Sequence, residues 1–267
     1  IIMKQEIIKK DFVKENQEIL ARWKQSNETR YEETNFAPDG IMFRGEIVDY
    51  ESWRERESGS ENEIWTNAPL RILFLTKDQN AGGEDAWDVR GEIGTLSYAF
   101  YRNLFYQLYG LANTTAKDTI GYDDFCNEDA EELYMTFPLA RINVKKEAGS
   151  SSISNYALEY YLNRDQNFIK EQVTNLDADI IVCCGYSESV KDSGNLLLNF
   201  LNEKCGYNFV KQAEDNWIYF DETRNKLAIN NWHLSVRSSS ESIYNEMITA
   251  YKNFLIQYPD FTNSHRK

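Results

Sequence analysis

Three residues far apart in the chain, Asp78, Asn143 and His233, are of types that together suit cleavage of an N-glycosidic bond. As such a bond breaks, the departing base gathers negative charge, which a neutral histidine stabilises by hydrogen bonding. The sugar becomes an oxocarbenium-like cation, which a carboxylate stabilises while it directs water. An asparagine amide carries both a donor and an acceptor and can read the edge of an extruded base. Taken singly, each residue has a plainer account. Asp78 and Asn143 read as turn or capping residues, and a lone histidine beside Trp232 reads as a satisfied core residue. Their positions at the ends of apolar runs favour the chemical account.

The first run is Arg71–Asn80, RILFLTKDQN, in which Ile72, Leu73, Phe74 and Leu75 give way to Lys77 and Asp78, with Pro69 before it and Gly82-Gly83 after. Consecutive β-compatible apolar residues bounded in this way predict a strand covered on both faces. The second run, 134–143, YMTFPLARIN, stops at Asn143 and is followed by the lysine-bearing loop VKKEAGSSSISN. The third, Ile180–Cys184, ends at Gly185 and the polar YSES; the fourth, 226–230, ends in NNWHLSVRSSS, which carries His233 and Ser235. Helical patterns over 96–111, 156–176, the NLLLNFL segment and 243–258 separate and follow these runs. Alternating strand and helix predict a three-layer α/β/α fold around a central, largely parallel four-stranded sheet. In such a sheet the carboxyl ends share one edge, and there α/β proteins bind their ligands.

An amphipathic helix over 5–24, built on Ile7, Ile8, Phe12, Val13, Ile19, Leu20 and Trp23, opens an N-terminal helical and loop extension, 1–66, expected to pack on an α/β domain at 67–267. Asp39-Gly40 marks a turn before IMFRGEIV, a short hairpin or edge strand, and NFVKQAEDNWIYF reads as a hairpin turning near 214–216. With 267 residues, 42% of them hydrophobic, the chain can build a substantial core. Its net charge of −14 argues against generic, charge-driven binding to nucleic acid or anionic membrane, and confines any nucleic-acid contact to a local basic face. No apolar stretch approaches about 20 residues, and IIMKQEIIKKDF lacks the features of a signal peptide, so a cytoplasmic protein is expected, and a monomer. Cys126, Cys183, Cys184 and Cys205 show no C-x-x-C spacing, which disfavours zinc and iron–sulfur sites; the adjacent Cys183 and Cys184 read as buried thiols on opposite faces of a strand.

In order and interval these segments resemble the uracil-DNA glycosylase superfamily, over about 69–255. Thr76-Lys77-Asp78-Gln79-Asn80 takes the place of that family's strand-end Gly-x-Asp-Pro-Tyr motif, and ARINVKKEAGSSS is similar to the segment whose asparagine binds the pyrimidine. IIVCCGYSES is similar to a later strand ending in Gly-Ser, and His233-Leu234-Ser235-Val236-Arg237-Ser238 to a closing His-Pro-Ser motif before a DNA-inserting loop. The resemblance implies a DNA glycosylase, independent of metal and cofactor, that flips uracil or a modified pyrimidine and hydrolyses its N-glycosidic bond. It implies catalytic roles for Asp78 and His233, base contacts from Asn143 and Asn80, and a stacking ring from Tyr98 or Phe100. DNA or phosphate contacts would come from Lys77, Lys145, Lys146, Ser151, Ser187, Ser235 and Arg237. Thr76 and Gln79 replace the family's glycine and proline, Asn80 its thymine-excluding tyrosine and Leu234 a proline, while Arg237 stands near an apolar wedge; the implied pocket admits a bulkier base. Two other readings stay open: a glycosylase-fold protein that binds nucleic acid or a protein partner without catalysis, and a hydrolase of free nucleosides or nucleotides, which the acidity suits.

Overall fold

A computed structural model describes residues 10–28, 35–48, 55–81, 85–125, 132, 134–149, 152–212, 214, 216–236 and 238–261. Its strands are β1 (Gly40–Ile41), β2 (Ile72–Thr76), β3 (Leu139–Asn143), β4 (Ile180–Cys184), β5 (Val210–Lys211), β6 (Ile218–Asp221) and β7 (Lys226–Asn231). They form one seven-stranded sheet in the order β1-β3-β2-β4-β7-β6-β5. The four apolar runs are the parallel centre, β3-β2-β4-β7. The expectation of four strands is corrected to seven. Antiparallel β1 pairs with β3 on one edge, while β6 pairs antiparallel with β7 and carries β5 on the other. Two-residue strands such as β1 and β5 are too short to show a period, and the hairpin expected over 208–220 becomes part of the sheet because β6 bonds directly to β7. The second run also starts later than its sequence suggests: 134–136 are helical and β3 begins after Pro138, whose nitrogen has no hydrogen to donate.

The helices are α1 (Phe12–Glu28), α2 (Glu61–Asn67), α3 (Ala99–Asn113), α4 (Asn155–Arg164), α5 (Gln166–Leu176), α6 (Leu196–Glu203) and α7 (Ser240–Gln257). The helix expected over 156–176 is two helices, divided at Asp165, whose buried carboxylate takes the Arg164 guanidinium. Every residue of β2, β3 and β4 is buried, as a parallel sheet covered on both faces requires. Alternate β2 side chains serve two cores. Ile72 and Phe74 pack with Leu104 and Leu108 of α3 and Met247 and Tyr251 of α7. Leu73 and Leu75 pack with Trp23, Trp65, Leu158, Val173 and Leu201 on the opposite face. Each such side chain taken from water contributes roughly 1.5–3 kcal/mol. Cys183 and Cys184 are buried free thiols, one in each core, as adjacent strand residues must be.

The crossovers decide where a ligand can enter. From β2 the chain moves through α3 to β3 on one side, then through α4 and α5 back across β2 to β4, and onward through α6 towards β7. Right-handed crossovers in opposite directions place α3 on one face and α4, α5 and α6 on the other. Loops leaving neighbouring strands therefore diverge at the carboxyl end of β2, the topological switch point.

Candidate functional site

At that switch point the β2 and β3 ladder continues past the strands. Val144 N–H donates to the Thr76 carbonyl, Lys145 N–H to that of Lys77 and Gly149 N–H to that of Gln79, while Ala81 N–H donates back to Gly149. The zipped loops hold Asp78 beneath Gly149. A Cβ on Gly149 would lie 2.4 Å from Asp78 Oδ2 and 2.7 Å from Lys145 Nζ, so a larger residue there pushes one of these chain ends aside. Asp78 Oδ2 is 3.5 Å from Lys145 Nζ, and the aspartate side chain is only 9% exposed. Burial raises its carboxyl above the ordinary carboxylate range, and Lys145 and then Lys77 pull it back. The Lys145 ammonium also lies over the Tyr161 ring.

Asn143, the last residue of β3, pairs in register with Thr76 of β2 and is 1% exposed. Thr76 Oγ1 is 2.6 Å from the Asn143 amide and 3.0 Å from the Ile142 carbonyl. One hydroxyl proton satisfies one of these contacts, so the amide is fixed through Thr76 in either orientation. Its other arm is buried, with no hydrogen-bond partner among the described residues.

His233 stands two residues beyond β7. The Ser235 backbone N–H donates to its Nδ1 at 3.2 Å. A nitrogen that accepts carries no proton, so the neutral ring holds its proton on Nε2 as a donor. Burial, and then the positive charge of Lys77, lower this histidine from 6.5 to about 4. The imidazole packs on Phe100, with ring centroids 6.2 Å apart, and the Arg141 guanidinium lies 4.9 Å from the centre of the same ring. Arg141 in turn pairs with Glu92 at 3.2 Å, both buried, and the Tyr101 hydroxyl donates to Glu92. Trp232 and Tyr186 meet edge to face beside the histidine at 4.6 Å.

The structure thus gathers Asp78, Asn143 and His233 on one sheet edge. β4 alone separates β2 from β7, so the aspartate and histidine loops spring from backbones about 10 Å apart, twice the ~4.8 Å strand spacing. Lys77, half-buried on β2's loop, interacts electrostatically with Asp78, with Cys184 at the end of β4 and with His233. Desolvation lowers its ammonium below the ordinary value.

Other expected contacts are placed differently. Lys146 is corrected: it is fully buried and ion-paired with Asp39 at 2.5 Å. It also donates to the Asn143 carbonyl and Gln172 Oε1 and lies over Trp23, so it cannot reach phosphate. Ser187 and Ser189 share a hydrogen bond with each other and with Asn155. Asn80 is exposed and bridges to Gly149, and Tyr98 is an exposed ring at the start of α3, whereas Phe100 is the half-buried one under His233. Ser235 is exposed and serves His233 through its backbone; Ser151 and Arg237 lie outside the described residues.

Sequence reasoning missed Asp39, Glu92, Tyr101, Arg141 and Gly149. Arg141 alone advertised itself, as a charge between Ala140 and Ile142 in an apolar run. Two open grooves, of about 480 and 470 Å3, lie elsewhere, between α1 and α5 and between α4 and α6. Neither contains the strand-end aspartate, asparagine or histidine. Among the described residues no group of three or more His, Cys, Asp or Glu side chains could hold a metal ion, and no helix is long and apolar enough to cross a membrane. No protein-family model matches the chain, and no curated protein matches it.

Proposed function

We propose that the protein hydrolyses the N-glycosidic bond of a pyrimidine, uracil or a modified base, flipped out of DNA. One observation carries this reading: His233 is kept neutral with Nδ1 engaged and Nε2–H left as the donor, the form that stabilises an anionic leaving base without first giving up a proton. The C1′–N bond breaks with its electron pair on the base, facing His233. Asp78 stabilises the sugar cation and directs the water that adds to C1′, and the proton released from that water passes through the carboxylate to solvent. The unpartnered arm of the Asn143 amide is buried, so it meets a base edge only where the β2 and β3 loops part above it. Phe100 stays beneath the imidazole, where it fixes the ring's orientation.

The test is mass spectrometry of bases released from a panel of modified DNAs, including DNA with substituted cytosines, by the wild type, Asp78→Asn and His233→Asn. Release by the wild type and its loss in both variants is the expected result. Equal release by all three would sink the assignment.

A second reading draws on the withdrawal of Lys145 and Lys146 into internal ion pairs, which leaves little cationic surface for a phosphate backbone. It makes the substrate a free nucleoside or nucleotide. Base release from mononucleosides but not from DNA would select it.

A further inference from the structure

Three lysines were expected beside the site, and two of them are paired: Lys145 with Asp78, Lys146 with Asp39. The third is not. Among the described residues the Lys77 ammonium has no ion pair and no hydrogen bond, although it is half-buried at the end of the central strand. Its charge acts on Asp78 beside it, on Cys184 at the carboxyl end of β4 and on the imidazole of His233. Its backbone is locked, because its carbonyl accepts the Lys145 N–H at 2.9 Å. A half-buried amine on a locked backbone with, among the described residues, no ion pair and no hydrogen bond describes a nucleophile better than a surface charge.

We propose that Lys77 is an amine nucleophile that condenses with the C1′ aldehyde of the abasic sugar and thereby gives the protein a strand-cleaving lyase activity. This rests on the glycosidic reading for its substrate, since base loss creates the aldehyde. The unprotonated Nζ adds to C1′, the resulting carbinolamine loses its hydroxyl as water, and an imine joins lysine to sugar. That imine acidifies the C2′ hydrogen, and in this proposal the neighbouring Asp78 carboxylate accepts it. The electron pair left at C2′ forms a double bond to C3′ as the C3′–O bond breaks, and the phosphate leaves with its electrons. Water hydrolyses the imine and returns the free amine. No electrons are gained or lost overall. Desolvation, which lowers the Lys77 ammonium, raises the fraction of amine available near neutral pH.

The experiment incubates the full chain with an oligonucleotide carrying one chemically prepared abasic site, in the presence of sodium borohydride, which reduces the imine to a stable amine. Wild type, Lys77→Arg and Lys77→Met are compared on denaturing gels, and the adduct is located by peptide mass spectrometry. Circular dichroism confirms that the variants fold. The expected result is a covalent complex at Lys77 that falls at least tenfold in both variants. An adduct confined to other lysines, undiminished in Lys77→Arg, overturns the proposal, as does the absence of any adduct. Base release by the wild type is scored in parallel on the modified-DNA panel. Release with the strand left intact and no adduct overturns the lysine proposal and spares the glycosidic one. An adduct at Lys77 with no base released from any DNA supports the lysine proposal and overturns the glycosidic one.

Discussion

His233 gives the most direct access to the site's chemistry, because it is one of only two histidines in the chain. Its ring signals, assigned in NMR spectra by comparison with His233→Asn, should show no titration above about pH 5, in keeping with a pKa lowered to about 4. Folding moves this group from 6.5 down to about 4, so between those values the unfolded chain holds the extra proton. Its contribution to stability is therefore complete above 6.5 and is lost as pH falls towards 4. A base-release profile should accordingly lack a histidine limb near neutrality. The acid limb should belong to Asp78 and lie above the ordinary carboxylate range, since burial raises that group. Asp78→Asn should reduce single-turnover base release by about 10²–10³, the scale on which preorganised electrostatic groups act.

The elements that aim these side chains are short ladders and one buried ion pair. Gly149 closes the loop over Asp78, and Gly149→Ala must displace the carboxylate or the Lys145 ammonium. The expected outcome is a fall in base release of at least tenfold, with unfolding changed by less than about 1 kcal/mol, since the Lys145 chain end can move aside. A variant that unfolds while its remaining folded fraction keeps full activity would show that the glycine serves only the fold. Lys146 works on a larger structure. It ties Asp39, just before β1, to the end of β3 and to Gln172 of α5. Lys146→Met leaves Asp39 buried and uncompensated, and urea denaturation should show a loss of about 3–5 kcal/mol. Adding Asp39→Asn should recover part of it, because removing both charges together avoids the stranded one.

At the scale of the molecule, the net charge of −14 and the internal fate of Lys145 and Lys146 limit how nucleic acid can be held. Each phosphate neutralised contributes about −0.9 to the slope of log K against log salt, and a site with one or two available cations gives a slope no steeper than about −2. Fluorescence anisotropy with a labelled oligonucleotide across a range of salt measures this. A slope near −5 would require a basic surface that the described residues do not present. The N-terminal segment is likewise part of the whole rather than an attachment, since it supplies β1 to the sheet and Asp39 to the interior.

The parallel centre was legible because four apolar runs, each buried on two faces, leave a composition that needs no partner to be recognised. The same runs, stopping at polar residues, put Asp78, Asn143 and His233 at strand ends by chain order alone. Edge strands of two residues carry no such pattern, and only pairing with β3 and β6 makes β1 and β5 strands. The lysines show the limit most clearly. Lys77, Lys145 and Lys146 look alike in the sequence, but one has no ion pair among the described residues, one holds Asp78 and one is sealed inside against Asp39, 107 residues away. A charge is defined by its neighbours in space, and those are fixed only when the sheet and its loops have closed.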